Sequence, residues 1–167
     1  MEVPVGISES GIAFIKRWEG FVPHAYDDTD PKARPIKPGD PVRGVLTYGY
    51  GETAGVKPGD TITESEADRR LRMRVKFFEK AVKDAVSVTV KQHQFDAMVS
   101  LCYNIGPERF RGSSVVRFLN AGDDWTAGQK FLLWRKQTIN GRLVEVLGLL
   151  RRRRAEREMF YGKGYGE

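Results

Sequence analysis

A long amphipathic segment in the middle of the chain is the feature that most constrains its fold. Between Thr63 and Val86 the apolar residues recur at steps of three and four, the spacing of one face of an α-helix. These residues are Ala67, Leu71, Val75, Phe78, Val82 and Val86. Because Thr63 and Glu66 form a capping-box pair, the pattern predicts a helix of roughly six turns that starts there. A helix of this length can bridge two lobes.

The segments on either side of this helix predict different structures. Residues 1–62 combine a helix from Ile7 to Trp18 with a short strand, Val45–Tyr50, which indicates a small lobe with a little antiparallel sheet. Residues 63–167 predict successive helices, the last from about Leu147 to Phe160, with a tight turn at Asn140-Gly141. The expected fold class is therefore α+β and mostly helical, with a small N-terminal β-containing lobe and a C-terminal helical lobe.

The first predicted helix ends in a carboxylate at Glu19, followed by Gly20, a common helix stop. The last carbonyl groups of a helix carry partial negative charge, which disfavours an ionised glutamate there. Trp18 and Phe21 add apolar surface on both sides, and this also favours the protonated acid. Glu19 is thus a candidate general acid; the alternative is a solvent-exposed glutamate that tolerates its position.

Two further polar features follow Glu19 within a short distance. Asp28 comes nine residues later, with Asp27 beside it as a competitor, and Thr47 lies on the predicted strand. Glycoside hydrolysis requires one group that protonates the leaving oxygen and a second that assists the attack. The order of acid, second carboxylate and hydroxyl therefore predicts a glycosidase site. The proline-rich segment Thr29–Pro41 between them is expected to be a surface loop, either functional or a mobile insertion.

Composition excludes few classes of function. The formal net charge of +6 favours an anionic partner, which could be nucleic acid, acidic lipid or a cell-wall polymer. The one cysteine, Cys102, allows no internal disulfide and fits a small buried apolar residue. No run of about 18 apolar residues is present, so stable membrane insertion is not expected. The first residues, Met1–Gly6, lack the basic and apolar regions of a secretory signal.

Motifs along nearly the whole chain resemble the phage-type (T4-like) lysozymes or endolysins of glycoside hydrolase family 24. Each motif alone is weak, but the ordered set is specific. In chain order they are Trp18-Glu19-Gly20, Tyr26 with Asp28, Thr47-x-Gly49-x-Gly51, Ile62-Thr63-x-x-Glu66-Ala67, Gln94-Phe95-Asp96-Ala97, Tyr103-Asn104-Ile105-Gly106, Phe110-x-x-Ser113, Phe131-x-x-Trp134, and Gly148-Leu149-x-Arg151-Arg152-Arg153 with Glu156.

The resemblance implies a single lysozyme-like catalytic domain over residues 1–167, with lobes at about 1–62 and 63–167. It implies hydrolysis of the β-1,4 bond between N-acetylmuramic acid and N-acetylglucosamine, with no cofactor and no metal. The implied catalytic residues are Glu19, Asp28 and Thr47. The implied substrate-binding residues are Tyr103, Asn104 and Ser113; alternatively, Tyr103 and Asn104 only end a helix and Ser113 is only an N-cap.

The sequence departs from the family pattern at two places. The segment between Asp28 and Thr47 is longer than in compact members, and Glu52 stands where the family usually has histidine. The run Arg151–Arg154 predicts a solvated basic face; alternatively, one arginine turns inward towards the acidic site.

The resemblance also implies partners and a location. We expect a monomer that acts on bacterial peptidoglycan and not on nucleic acid. It would be made in the host cytoplasm and reach the cell wall, on the periplasmic side, after a holin opens the membrane. The rival classes are a non-catalytic wall-binding module of the same fold, a nucleic-acid-binding helical domain and a hydrolase of chitin-type glycans.

Overall fold

The computed structural model describes residues 4–165. It confirms the α+β, mostly helical fold class, with two small antiparallel sheets. A short 3₁₀ turn, Phe131–Leu133, follows the sixth helix. The helices and strands are, in chain order, α1 Glu9–Glu19, β1 Val22–Asp27, β2 Leu46–Gly49, α2 Glu64–Ala85, α3 Gln92–Ile105, α4 Pro107–Arg111, α5 Ser114–Asn120, α6 Asp124–Lys130, β3 Lys136–Ile139, β4 Arg142–Glu145 and α7 Leu147–Phe160.

The described residues form two compact units. The sheet unit comprises residues 16–74, and the helical unit comprises residues 4–15 and 75–165. The boundaries fall inside α1 and α2, whereas the sequence places the division at about residue 63. The catalytic residues expected from the sequence, Glu19, Asp28 and Thr47, all belong to the sheet unit.

Helix α2 follows the prediction closely. It spans 22 residues, and the Thr63 hydroxyl accepts a hydrogen bond from the Glu66 backbone N–H at 3.2 Å. That bond satisfies one of the free N–H groups that every helix leaves at its start. Helix α3 begins at Gln92, and there the Gln94 side chain accepts the Lys91 N–H.

The sheet unit is built on the antiparallel pair β1–β2. Tyr26 lies opposite Thr47 and Asp27 lies opposite Leu46, with an irregularity in the register between Val22 and Tyr26. Directly opposed residues share a face of the sheet, and neighbours along a strand alternate between faces. Tyr26 and Thr47 therefore lie on one face and Asp27 on the other.

The long segment after Asp28 is anchored to this sheet. The Ile36 N–H donates to the Ala25 carbonyl at 2.9 Å, and the Ile36 carbonyl accepts the Gly59 N–H at 2.7 Å. A ring nitrogen of His24 lies 2.8 Å from the Ala33 carbonyl. The predicted surface loop is thus held on β1 by hydrogen bonds to the Ala25 carbonyl and the His24 side chain, which its proline-rich composition did not indicate.

The helical unit contains a buried cluster of charges on α7. The Glu156 carboxylate pairs with Arg152 at 3.1 Å and with Arg153 at 2.7 Å, and the Ser100 hydroxyl donates to it at 2.7 Å. Arg153 and Glu156 are fully buried, and Arg152 is 4% exposed. The prediction that Arg151–Arg154 form a solvated basic face is therefore wrong for the two central arginines.

The single cysteine lies on the buried, apolar face of α3, as predicted. Cys102 is fully buried, and burial raises the pKa of its thiol to about 12. Because the thiolate is the nucleophilic form, we expect no reaction of the native protein with a thiol reagent at about pH 8. In denaturant, one equivalent should react rapidly. Reagent titration with and without denaturant measures both, and rapid labelling of the native protein would contradict the burial.

Candidate active site

Glu19 is the last residue of α1, and its side chain is half-buried. The helix stops as predicted, since Gly20 takes a φ of 69° while its N–H still donates to the Lys16 carbonyl at 3.0 Å. The turn after β2 approaches the acid closely. A Cβ atom built on Gly51 would lie 3.4 Å from Glu19 Oε2, and the φ of 76° at Gly51 also favours glycine. The acid is thus placed against the backbone of this turn.

Arg74 of α2 holds the same turn in place. Its guanidinium donates to the Gly51 carbonyl at 2.8 Å and to the Tyr50 carbonyl at 2.7 Å, and lies 3.7 Å from Glu52 Oε1. Burial lowers the pKa of Arg74, while the negative charges of Glu52 and Glu19 raise it. Glu52, at the position where the family usually has histidine, therefore has a cationic partner. The sequence pattern did not indicate a role for Arg74.

Asp28 follows the end of β1 and is exposed. Its N–H donates to the Val45 carbonyl at 3.1 Å, and its Oδ1 accepts the Val45 N–H at 2.8 Å. The Thr47 hydroxyl donates to the same Val45 carbonyl at 3.1 Å. The backbone of Val45 thus connects Asp28 and Thr47, two of the three residues that the resemblance assigns to catalysis.

Asp27, the competing carboxylate, has a different environment. It is 5% exposed, and its two oxygens accept hydrogen bonds from Thr29, Arg43 and Gly44. These donors, led by the Thr29 hydroxyl, hold the pKa of Asp27 well below its usual range. Its oxygens are occupied by the protein, whereas the Asp28 side chain is open to solvent.

The tyrosine of the motif that includes Asp28, Tyr26, lies on the face of the sheet that also carries Thr47. Burial raises the pKa of its hydroxyl, and the negative charges of Asp28 and Glu19 raise it further. Asp28 and Glu19 thus both interact electrostatically with the residue that lies opposite Thr47 in the sheet. The tyrosine belongs to the sequence motif, but no role was predicted for it.

The residues expected to bind substrate lie in the helical unit. The Tyr103 ring packs 5.0 Å from the Phe78 ring, measured between centroids. Asn104 is exposed and lines a cavity of about 710 Å³ together with Arg109 and Trp134. Ser113 is 4% exposed, and its oxygen accepts the Val116 N–H at 3.3 Å as the N-cap of α5.

Comparison with known proteins decides the family. Residues 16–156 match the phage lysozyme family. The chain belongs to that family. It is 36% identical over 159 residues to the endolysin of Salmonella phage P22, covering 92% of this chain and 97% of the relative.

Solved structures of phage lysozyme relatives have the same fold. The endolysin of Escherichia coli O157:H7 phage FAHEc1 superimposes with a TM-score of 0.86 at 30% identity, over 100% of both chains. The muramidase domain of SpmX from Asticaccaulis excentricus gives a TM-score of 0.79 at 34% identity, over 92% of this chain and 96% of that domain. The predicted lysozyme-like fold is confirmed, and this member of the phage lysozyme family is a glycoside hydrolase.

Residues 4–165 of this phage lysozyme family member contain neither a metal-ligand cluster nor a helix suited to a membrane. Within that range, no three His, Cys, Asp or Glu side chains form a group that could hold a metal ion. None of the helices there has the length and apolar character needed to cross a membrane.

Proposed function

We propose that this chain is an endo-acting muramidase that cleaves the β-1,4 bond between N-acetylmuramic acid and N-acetylglucosamine in peptidoglycan, and that it serves as a phage endolysin. One observation carries the proposal. In a chain of the phage lysozyme family, Asp28 and Thr47 are both hydrogen-bonded to the backbone of Val45, and Glu19 ends α1 against the turn that follows the strand of Thr47.

In this mechanism Glu19 is the general acid. It ends α1 and is half-buried against Gly51, and its protonated carboxyl group donates to the glycosidic oxygen. The sugar develops oxocarbenium character as the bond breaks, and Glu19 becomes ionised. Arg74, held in place by two carbonyl groups of the adjacent turn, then provides a nearby positive charge.

Asp28 and Thr47 hold the attacking water. The Val45 N–H binds Oδ1 of Asp28, and in the described part of the chain no group donates to Oδ2, so that oxygen can accept a proton from water. The Thr47 hydroxyl donates to the Val45 carbonyl, which leaves its oxygen lone pairs for a second hydrogen bond from the same water. Water attacks from the face opposite the leaving group, so the scheme inverts the anomeric centre.

We also propose that Tyr103, Asn104 and Ser113 contact the substrate. Asn104 offers an exposed amide, and Tyr103 a half-buried ring with a hydroxyl. Ser113 contributes its hydroxyl proton, because its oxygen already accepts the Val116 N–H. We further propose a monomer, synthesis in the host cytoplasm, and access to the wall after a holin opens the membrane.

Mass spectrometry of digested peptidoglycan tests the proposed reaction. In heavy-oxygen water we expect fragments whose reducing end is N-acetylmuramic acid and that carry one heavy oxygen at the anomeric carbon. Anomer analysis of the first products should find the α-anomer. Fragments that end in N-acetylglucosamine would contradict muramidase activity. Retention of the β-anomer would contradict the inverting scheme. Binding to walls without soluble products would identify a non-catalytic module.

A further inference from the structure

The carboxylate of Asp27 lies immediately before Asp28 in the chain and on the opposite face of the sheet. It is 5% exposed, and a carboxylate this well buried is stable only if protein groups replace the lost water. The proposed reaction does not use Asp27, and a buried polar network whose hydrogen bonds are all formed makes the structure around it rigid. Its contacts show which part of the backbone it fixes.

Asp27 accepts hydrogen bonds from both ends of the long loop between β1 and β2, residues 28–45. At the start of the loop, Thr29 donates its N–H to Oδ1 at 2.9 Å and its hydroxyl to the same oxygen at 2.6 Å. At the end, the Arg43 N–H lies 2.6 Å from Oδ2, and the Gly44 N–H lies 3.1 Å from Oδ1. One buried side chain therefore holds together two segments that are separated by the whole loop.

These two segments adjoin the backbone of Asp28 and the N–H group that binds its carboxylate. Thr29 follows Asp28 directly, and Gly44 precedes Val45, whose N–H binds the Asp28 carboxylate. Both carboxylates pack tightly against Gly44, because a Cβ atom built there would collide with Asp28 Oδ1 and lie 2.7 Å from Asp27 Oδ1. Release of either end of the loop would shift the Asp28 carboxylate relative to Thr47.

We propose that Asp27 is a positioning residue for Asp28: by binding Thr29 at one end of the loop and Arg43 and Gly44 at the other, it holds the Asp28 carboxylate in the orientation that activates water. This inference rests on the catalytic role proposed for Asp28. A misplacement of about 1 Å can lower the rate of an enzyme about 10²-fold, so the effect should appear in kcat.

A matched control lies three residues further on. The Asp30 carboxylate also accepts backbone hydrogen bonds, from Lys32 at 3.0 Å and Arg34 at 3.2 Å, and pairs with the Arg34 guanidinium at 2.7 Å. All of these contacts stay within the loop, and none reaches Gly44 or Val45. Asp30→Asn therefore removes a comparable loop carboxylate and leaves the contacts of Asp27 with Thr29, Arg43 and Gly44 intact.

The experiment compares kcat and KM of Asp27→Asn, Asp30→Asn and Asp28→Asn on purified peptidoglycan fragments, well below the melting temperature of each variant. We expect Asp27→Asn to lower kcat about 10- to 100-fold with KM within about twofold, and Asp30→Asn to stay within about twofold in both. Equal kcat values for Asp27→Asn and Asp30→Asn would overturn the inference, since loss of a purely structural carboxylate lowers stability and leaves kcat unchanged.

Two further arms keep the outcomes separate. If Asp28→Asn retains wild-type activity, the proposed function of Asp28 fails, and the inference fails with it. If Asp28→Asn is inactive while Asp27→Asn is unaffected, only the inference fails. Should Asp27→Asn not fold, Thr29→Val decides, because it removes one donor to the intact carboxylate; its kcat should fall about threefold or more, and an unchanged kcat would overturn the inference.

Discussion

Glu19→Gln should lower the rate of peptidoglycan hydrolysis by about 10²–10⁴-fold, the usual contribution of a general acid. Glutamine keeps the size and polarity of the side chain but cannot donate a proton to the glycosidic oxygen. Since Glu19 is the last residue of α1 and only half-buried, the melting temperature should change by no more than a few degrees. Turbidity loss of purified cell walls measures the rate, and thermal melting followed by circular dichroism measures the fold.

Glu9→Gln is the control, because Glu9 is an exposed carboxylate in the first turn of the same helix. That variant should retain wild-type activity. A folded Glu19→Gln protein that clears walls at a rate near wild type would show that another group supplies the proton. Glu52 would then be the first candidate to examine, since it shares the neighbour Arg74 with Glu19.

The largest effect on stability should come from Glu156→Gln. The Glu156 carboxylate pairs with both Arg152 and Arg153, and all three side chains are buried. Loss of one partner from a buried ion pair usually costs about 3–5 kcal/mol, because the charge that stays buried loses its counter-ion and is shielded from water. For a chain of this size, that corresponds to a fall of about 6–20 °C in melting temperature.

Glu158→Gln provides the matched control on the same helix. Glu158 pairs with Arg157 at 3.0 Å and with Lys163 at 3.3 Å, but these groups are partly exposed. Exposed pairs contribute about 1 kcal/mol or less, so this variant should unfold close to wild type. Urea denaturation of both variants gives the two free energies of unfolding. Equal values would mean that the buried arginines find other compensation when the charge of Glu156 is lost.

Local sequence signals predicted several elements correctly. The apolar period and the Thr63 cap placed α2, Gly20 marked the end of α1, and Asn140-Gly141 marked the turn between β3 and β4. In that turn both residues have positive φ, 50° and 75°, as the favoured hairpin turn requires. These signals act within a few residues, so the chain carries them before it folds.

The strands beside that turn illustrate where local signals fail. Every residue of β3 and β4 is exposed, so neither strand shows the alternation of apolar and polar residues that marks a half-buried strand. Pairing of the two strands across the Asn140-Gly141 turn was therefore not predicted. The turn itself was visible, because it depends on backbone conformation and not on burial.

The sequence by itself determined the family motifs, most of the helices and, through the motifs, the candidate catalytic residues, because periodicity, caps and motif order are local or linear properties. Only the tertiary structure decided which charges are buried, because their partners are distant in the chain. Ser100 reaches Glu156 across 56 positions, and the Arg43 N–H reaches Asp27 across 16. For the same reason, two adjacent aspartates that look equivalent in sequence differ in the fold: the alternation of β1 and the return of the loop bury Asp27 among donors and leave Asp28 facing solvent.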